Sequence, residues 1–401
     1  MDRRNGSSSR RPRRGPATRA TTAAAGVASC VLTAALVTGC GDSQPGASAQ
    51  TFQTGGPGTS TTMLPGETAT ASPGGTGTPT GTGSPTGTAS PTGTASPTGT
   101  ASPTGTASPG AGALTASNAP FTLPTAVTEA TAVADDDKLL VLGGKDTNGK
   151  ATNQVTSIDP AAGTATSAGT LSKPVANASA AVVNGTPTVF GGNTVGSGGT
   201  GVTDVVQTFS NGTSQEVGKL PAPRENHGTA TANGKTYVVG GDNGSKIQSD
   251  VLATSDGKTF QNVGKLETPV RNAAVATTGS GSEQKVTVFG GESDNGTTDA
   301  IQQFDPATGK TTTVGKLPEQ LKGASAFTLN GTTYLAGGQA NGAASSKIYK
   351  FDPSDNSVTD AGDLPDGVQN AAAAATNDKA YLAGGEINGK VSNAVTQLMP
   401  K

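Results

Sequence analysis

The sequence has no tryptophan, one histidine, two cysteines and three methionines in 401 residues, and aromatics make up only 3%. Hydrophobic residues reach just 32%. Helical bundles and parallel α/β sheets need long apolar faces, and this composition cannot supply them. The formal charge is −2, from 27 basic and 29 acidic residues, so nucleic-acid binding is not expected. A single histidine excludes histidine-rich metal sites on residue count, and no cofactor is expected. What is present is 59 glycines, 25 prolines and short apolar clusters at regular intervals in the later part of the chain. That pattern predicts a repetitive all-β fold preceded by unfolded polar sequence.

The first forty residues read as an export address. Seven arginines (Arg3, Arg4, Arg10, Arg11, Arg13, Arg14, Arg19) precede an uncharged small-apolar stretch, Ala23–Gly39, which ends Val37-Thr38-Gly39-Cys40. This ordering is that of a signal peptide. The stretch is short and rich in Ala and Thr for a membrane span. Val37–Cys40 resembles the lipobox of bacterial lipoproteins, which implies cleavage after Gly39 and a diacylglycerol on Cys40. The expected location is therefore outside the cell, lipid-anchored to the outer face of the cytoplasmic membrane. The Arg pairs fit a twin-arginine signal poorly, and the export route stays open. Loss of 1–39 removes seven arginines, Asp2 and Cys30, which leaves a net charge of −8 and no cysteine but Cys40.

Residues 40–118 are nearly all Gly, Ser, Thr, Pro and Ala, with four copies of Ser-Pro-Thr-Gly-Thr-Ala from Ser84 to Ala107. No apolar side chains recur to offset the entropy of ordering, so this segment is expected to be a disordered tether.

From Pro120 onward six short β-rich runs each end in a diglycine, whose second members are Gly144, Gly192, Gly241, Gly291, Gly338 and Gly385. Their spacing is 47 to 50 residues, the signature of a repeat fold. A small-residue strand precedes each run, joined by turns such as Asn184-Gly185, Asn233-Gly234 and Asn330-Gly331, the strongest short hairpin signal. A polar loop, a third strand and a fourth strand ending Val217-Gly218-Lys219-Leu220-Pro221 or its equivalent complete each unit. Four antiparallel strands make a propeller blade.

These units resemble the kelch repeat, which has a diglycine after its second strand. The resemblance implies a six-bladed kelch-type β-propeller over 119–401. The family's tryptophan is absent, with Phe260 in its place once, and its third-strand tyrosine survives only as Tyr349. The sixth unit stops after its third strand, Val395–Leu398, while Phe121-Thr122-Leu123-Pro124 matches the fourth-strand ends. The N-terminal segment is therefore expected to supply the last blade's outer strand. Thr254–Phe260 resembles a shortened Asp-box and is read as a blade turn. The galactose-oxidase type of kelch propeller needs two histidines and a Tyr–Cys cross-link for copper, which the residue count here excludes.

Strand alternation places the blade-to-blade loops and the loops after the diglycines on one face. Candidate ligand-binding residues there are Asn177, Arg224, Glu225, Asn226, His227, Arg271, Asn272, Lys322, Gln369 and Asn370. Arg224 and Arg271 read equally as ties to neighbouring backbone or as ligand contacts. His227 reads as an ordinary hydrogen-bonded side chain, and the loop acids as solvated. The resulting expectation is a monomeric, non-enzymatic binding or scaffold propeller engaging an exported protein or a wall polysaccharide. The alternative is a carbohydrate-active hydrolase or lyase using loop carboxylates such as Glu225 and Glu292.

Overall fold

The structure, a computed structural model, describes residues 112–196, 200–376 and 378–401. The expected signal peptide, Cys40 and residues 41–111 of the expected tether lie outside the described residues. Among the described residues the only helical turn is a 3-10 turn at Gly281–Glu283, and no helix is long and apolar enough to cross a membrane.

Among the described residues there are six antiparallel sheets of four strands, each ordered from an inner first strand to an outer fourth. The first sheet holds Thr131–Asp135, Lys138–Leu142, Gln154–Asp159 and Thr164–Thr170. The next four begin at Ser179, Gly228, Ala274 and Ser325 and repeat this order. The sixth holds Ala372–Ala375, Ala380–Ala383 and Val395–Pro400, with Leu114–Asn118 paired along Val395–Pro400 as its outer strand. Each innermost strand lies against the innermost strands of two neighbouring sheets, all the way round. Small residues occupy these strands because their side chains converge. The predicted Asn-Gly turns adopt positive φ at both residues, as at Asn184 and Gly185.

The diglycines have a common physical cause. A Cβ on the first glycine would lie 2.2–2.5 Å from a backbone carbonyl of the loop leading into the following sheet, that of Val175, Arg224, Val270, Leu321, Val368 or Val127. The N–H of the second glycine donates to that same carbonyl at 2.7–2.8 Å. Each diglycine thus docks one sheet onto the next by backbone alone.

The glycine of each Val-Gly-Lys-Leu-Pro-like ending serves a second contact. A Cβ on Gly264 would sit 2.6 Å from both the Gly309 carbonyl and a Phe304 ring carbon, whereas one on Gly315 would meet the Asn356 carbonyl at 3.2 Å. The leucine that follows is buried, and its N–H caps a carbonyl ahead of the third strand, as Leu220 does to Asp204 and Leu123 to Asn393.

Leu123 therefore occupies the place its sequence match gave it, but the outer strand itself is Leu114–Asn118, not Phe121–Pro124. This strand also lies on the tether side of the expected boundary at residue 118. The physical reason is Pro120, which has no N–H to donate. The ladder ends with the Ala119 N–H bonded to the Val395 carbonyl, and the chain then crosses to Leu123. The sequence Leu-Thr-Ala-Ser-Asn is too short and polar to stand out from tether composition.

Apolar burial lies between sheets rather than within them. Val133, Leu140 and Val155 of the first sheet pack with Val189 and Phe209 of the second, and similar clusters span the other neighbouring pairs. Apolar residues of the second and third strands are buried, among them Leu142, Val239, Phe289, Ile301 and Ile348. Aromatic pairs contribute to these junctions: Phe190 meets Phe260 edge-on at 6.1 Å, Tyr237 meets Phe304 at 5.7 Å, and Phe289 meets Phe351 at 5.1 Å. Thr254–Phe260 is a turn, its backbone N–H groups at Lys258 and Thr259 donating to Asp256 Oδ1.

The two strand-four glycines give an unequal expectation. Gly264→Ala drives a methyl into backbone and a buried ring and should cost about 2–3 kcal/mol, while Gly315→Ala should cost less than about 1 kcal/mol. Urea unfolding of the two variants checks this, and equal losses would reject the close-approach account.

Candidate functional site

The face formed by the diglycine loops is built around a closed circle of six backbone hydrogen bonds. The N–H of Glu129 donates to the carbonyl of Asn370, Asn370 to Gly323, Gly323 to Asn272, Asn272 to Asn226, Asn226 to Asn177, and Asn177 to Glu129, all at 2.8–3.0 Å. Every one of these residues is left-handed, with φ between 52° and 61°. Asparagine tolerates this conformation better than other side-chain-bearing residues and glycine adopts it freely, which explains five of the six. Glu129 is the exception.

The ring residues and the residues after them line a cavity of about 140 Å³ at the axis. Below it, the innermost strands enclose a further space of about 190 Å³. Asn177, Asn226, Asn272 and Asn370 of the candidate set are thus brought together, joined by Glu129 and Gly323.

A second ring surrounds the first. The residue before each ring position forms a β-bridge to the residue after a diglycine: Thr128 to Lys145, Ala176 to Asn193, Glu225 to Asp242, Arg271 to Glu292 and Lys322 to Gln339, with Gln369 paired to Glu386 in a short ladder. The candidates Glu225, Arg271, Lys322 and Gln369 all stand here. Glu292 accepts from Arg271 Nη2 at 2.6 Å and from Lys322 Nζ at 2.5 Å, and these two cations hold its carboxyl below the usual range. Asn226 Nδ2 donates to Asp242 Oδ2 at 3.0 Å, and Lys145 Nζ to Glu129 Oε1 at 2.6 Å.

Two of the loop acids are not solvated, although Asp294 is. Glu225 is only 4% exposed and Asp242 3%. Burial pushes the carboxyls of Glu129 and Glu225 up from their ordinary values. The two acids named for a hydrolase are unlike: Glu225 is buried, and Glu292 is clamped as an ionised carboxylate, unsuited to a general acid.

The Kelch motif family model matches residues 223–253 and 320–365, in the third and fifth sheets. No curated protein matches the chain. The motif matches and the all-strand architecture support a kelch-repeat β-propeller. Kelch repeats generally mediate protein–protein binding or scaffolding.

The first matched stretch holds two departures from the repeat's own pattern. Arg224 stands where the other units have Val or Leu, and His227 where they have Ala130, Ala178, Ala273, Ala324 and Ala371. Both turn into the wall. Arg224 is 1% exposed, with Nη1 donating to the Gly240 carbonyl at 2.8 Å and Nη2 to Asp250 Oδ2 at 2.6 Å. It is a structural tie, not part of the exposed face. Arg271, with 37% of its side chain exposed, does reach that face. His227 is 7% exposed and neither ring nitrogen makes a well-formed hydrogen bond, contrary to the expectation of an ordinary bonded histidine. Burial, aided by the charge of Arg224, pushes its pKa down to about 3.

The unfolded chain takes up this proton near pH 6.5 and the folded one does not until about pH 3. Stability is therefore lost as pH falls below about 6.5, at roughly 1.4 kcal/mol per unit between about pH 6 and 4. Glu129 and Glu225, with raised values, work in the opposite sense. The variant His227→Ala, which restores the residue of the other five units, should lose this slope. Denaturation curves at pH 7.5 and 4.5 measure it; identical slopes in wild type and variant would overturn the assignment.

Proposed function

We propose that the chain is a six-bladed propeller, closed by the Leu114–Asn118 strand, that works as a monomeric, non-enzymatic binding or scaffold module. In this reading it is exported, lipid-anchored through Cys40 to the outer face of the cytoplasmic membrane, and set off from it by the tether. Its partner is an exported protein or a wall polymer, engaged at the axis mouth by Asn177, Asn226, Asn272 and Asn370 and by the surrounding Arg271, Lys322 and Gln369. The observation that carries this reading is the hydrogen-bonded circle around a polar cavity. It fixes six backbone positions without using their side chains, five of which stand at the cavity wall. The kelch propeller family is mostly made of non-enzymatic binding scaffolds, which agrees with it.

Topology adds an orientation. The strand Leu114–Asn118 runs from the hairpin-turn side toward the mouth side, and the Lys401 N–H bonds to the Ala113 carbonyl. Both described chain ends therefore lie on the side opposite the mouth.

The triple variant Asn226→Gly/Asn272→Gly/Asn370→Gly removes three carboxamides but keeps the left-handed backbone, as Gly323 already does. Capture of exported proteins and wall polymer by the full chain should fall at least about ten-fold, a loss of roughly 1.4 kcal/mol, with the thermal midpoint retained. Undiminished capture by a folded triple variant would remove the mouth from the binding surface.

A further inference from the structure

Resting on the reading of the mouth as a binding site, we propose that it receives a lysine side chain of a partner protein, its ammonium group seated among the ring carboxamides with Glu129 as counter-charge. Three observations converge on this. The first is Glu129 itself. It holds a left-handed conformation, φ 55°, at a position where the other units use Asn or Gly. Such a conformation costs an ordinary residue about 1–2 kcal/mol. What a glutamate adds over asparagine in the cavity wall is a charge. Lys145 engages its Oε1 alone, while Oε2 is buried without a hydrogen bond, the Asn177 carboxamide lying nearby.

The second is charge balance. Around the mouth stand Glu129, Glu225, Asp242, Glu292 and Glu386 against Lys145, Arg271 and Lys322. Lys322 and Arg271 Nη2 bond to Glu292, Arg271 Nη1 also lies 3.8 Å from Asp242 Oδ2, and Glu225 makes no ion pair among the described residues. Burial leaves Glu129 and Glu225 under-compensated, and a cation above the ring would relieve both.

The third is shape. A cavity of about 140 Å³ admits an unbranched alkyl stem with a compact head. The ring carboxamides offer carbonyl oxygens that suit the three N–H donors of an ammonium group. No Phe or Tyr lines the cavity to stack on a sugar ring, which favours lysine over an amino sugar.

The test titrates the isotope-labelled full chain with Nα-acetyl-lysine amide, its Nε-acetylated form and glucosamine, following the backbone amides of Asn177 and Asn226. The lysine derivative should bind weakly and shift these amides, and the Nε-acetylated form should not. Glu129→Gln should weaken binding roughly ten-fold, while Glu129→Asp, which keeps the charge, should retain most of it. Equal binding of the Nε-acetylated form, or full binding by a folded Glu129→Gln, would overturn the ammonium while leaving the mouth a polar site. Tighter binding of glucosamine would overturn lysine. Shifts confined to residues away from the ring, or none, would overturn this inference whatever the outcome of partner capture by the triple variant.

Discussion

The structure depends on backbone groups of neighbouring sheets reaching one another without side chains in the way. At the axis, six N–H donors and six carbonyls close on themselves. One shell out, the diglycines let a carbonyl of the following loop approach and then hold it. Toward the rim, the strand-four glycines admit the turn of a neighbouring sheet. The axial circle and the diglycine bonds use no side-chain atom. This is how a chain with so few bulky residues holds its sheets in register: apolar clusters supply the burial, and main-chain hydrogen bonds supply the geometry.

This division of labour frees the mouth. Because the left-handed ring is set by backbone bonds, Asn177, Asn226, Asn272 and Asn370 meet its conformational demand by tolerating positive φ, and Glu129 holds the same conformation without that tolerance. The bridged residues around them are likewise held by main-chain pairing, so Glu225, Arg271, Lys322 and Gln369 can vary in charge without loosening the ring. Their ion pairs then arrange the surface: Glu292 draws Arg271 and Lys322 together on one side, with Arg271 also 3.8 Å from Asp242, while on the other Lys145 pairs with Glu129 and Glu225 has no ion pair among the described residues. An uneven charge pattern on a regular scaffold gives a symmetric fold a specific face.

The repeat, strand order and sheet-to-sheet core were legible because each rests on local signals repeated six times: Asn-Gly turns, diglycines, and apolar residues on the second and third strands. The outer strand of the sixth sheet was legible only in part. Leu123 betrays itself by its match to Leu220, but Leu114–Asn118 offers a single large apolar residue, the buried Leu114, too little to mark a strand. The candidate residues could be assigned to one face together, because loop position follows from strand parity. Their individual roles were not, because burial depends on what packs above a loop. The signal that could have separated them was positional: Arg224 and His227 fall where the other units carry aliphatic residues and alanine, and so belong to the wall.

That pair also shows where the repeat is most strained. Substituting Arg for Val or Leu, and His for Ala, brings a cation and an imidazole into a junction built for methyl groups. Asp250 neutralises the arginine at 2.6 Å, but the same positive charge helps to keep the histidine unprotonated, and its nitrogens gain no good partner. A buried polar group without hydrogen bonds costs about 1–3 kcal/mol. This junction thus combines an ion pair that must stay intact with a ring that must stay neutral. Both adjoin Glu225 and Asn226 of the mouth, so the junction least suited to apolar packing directly supports that side of the face.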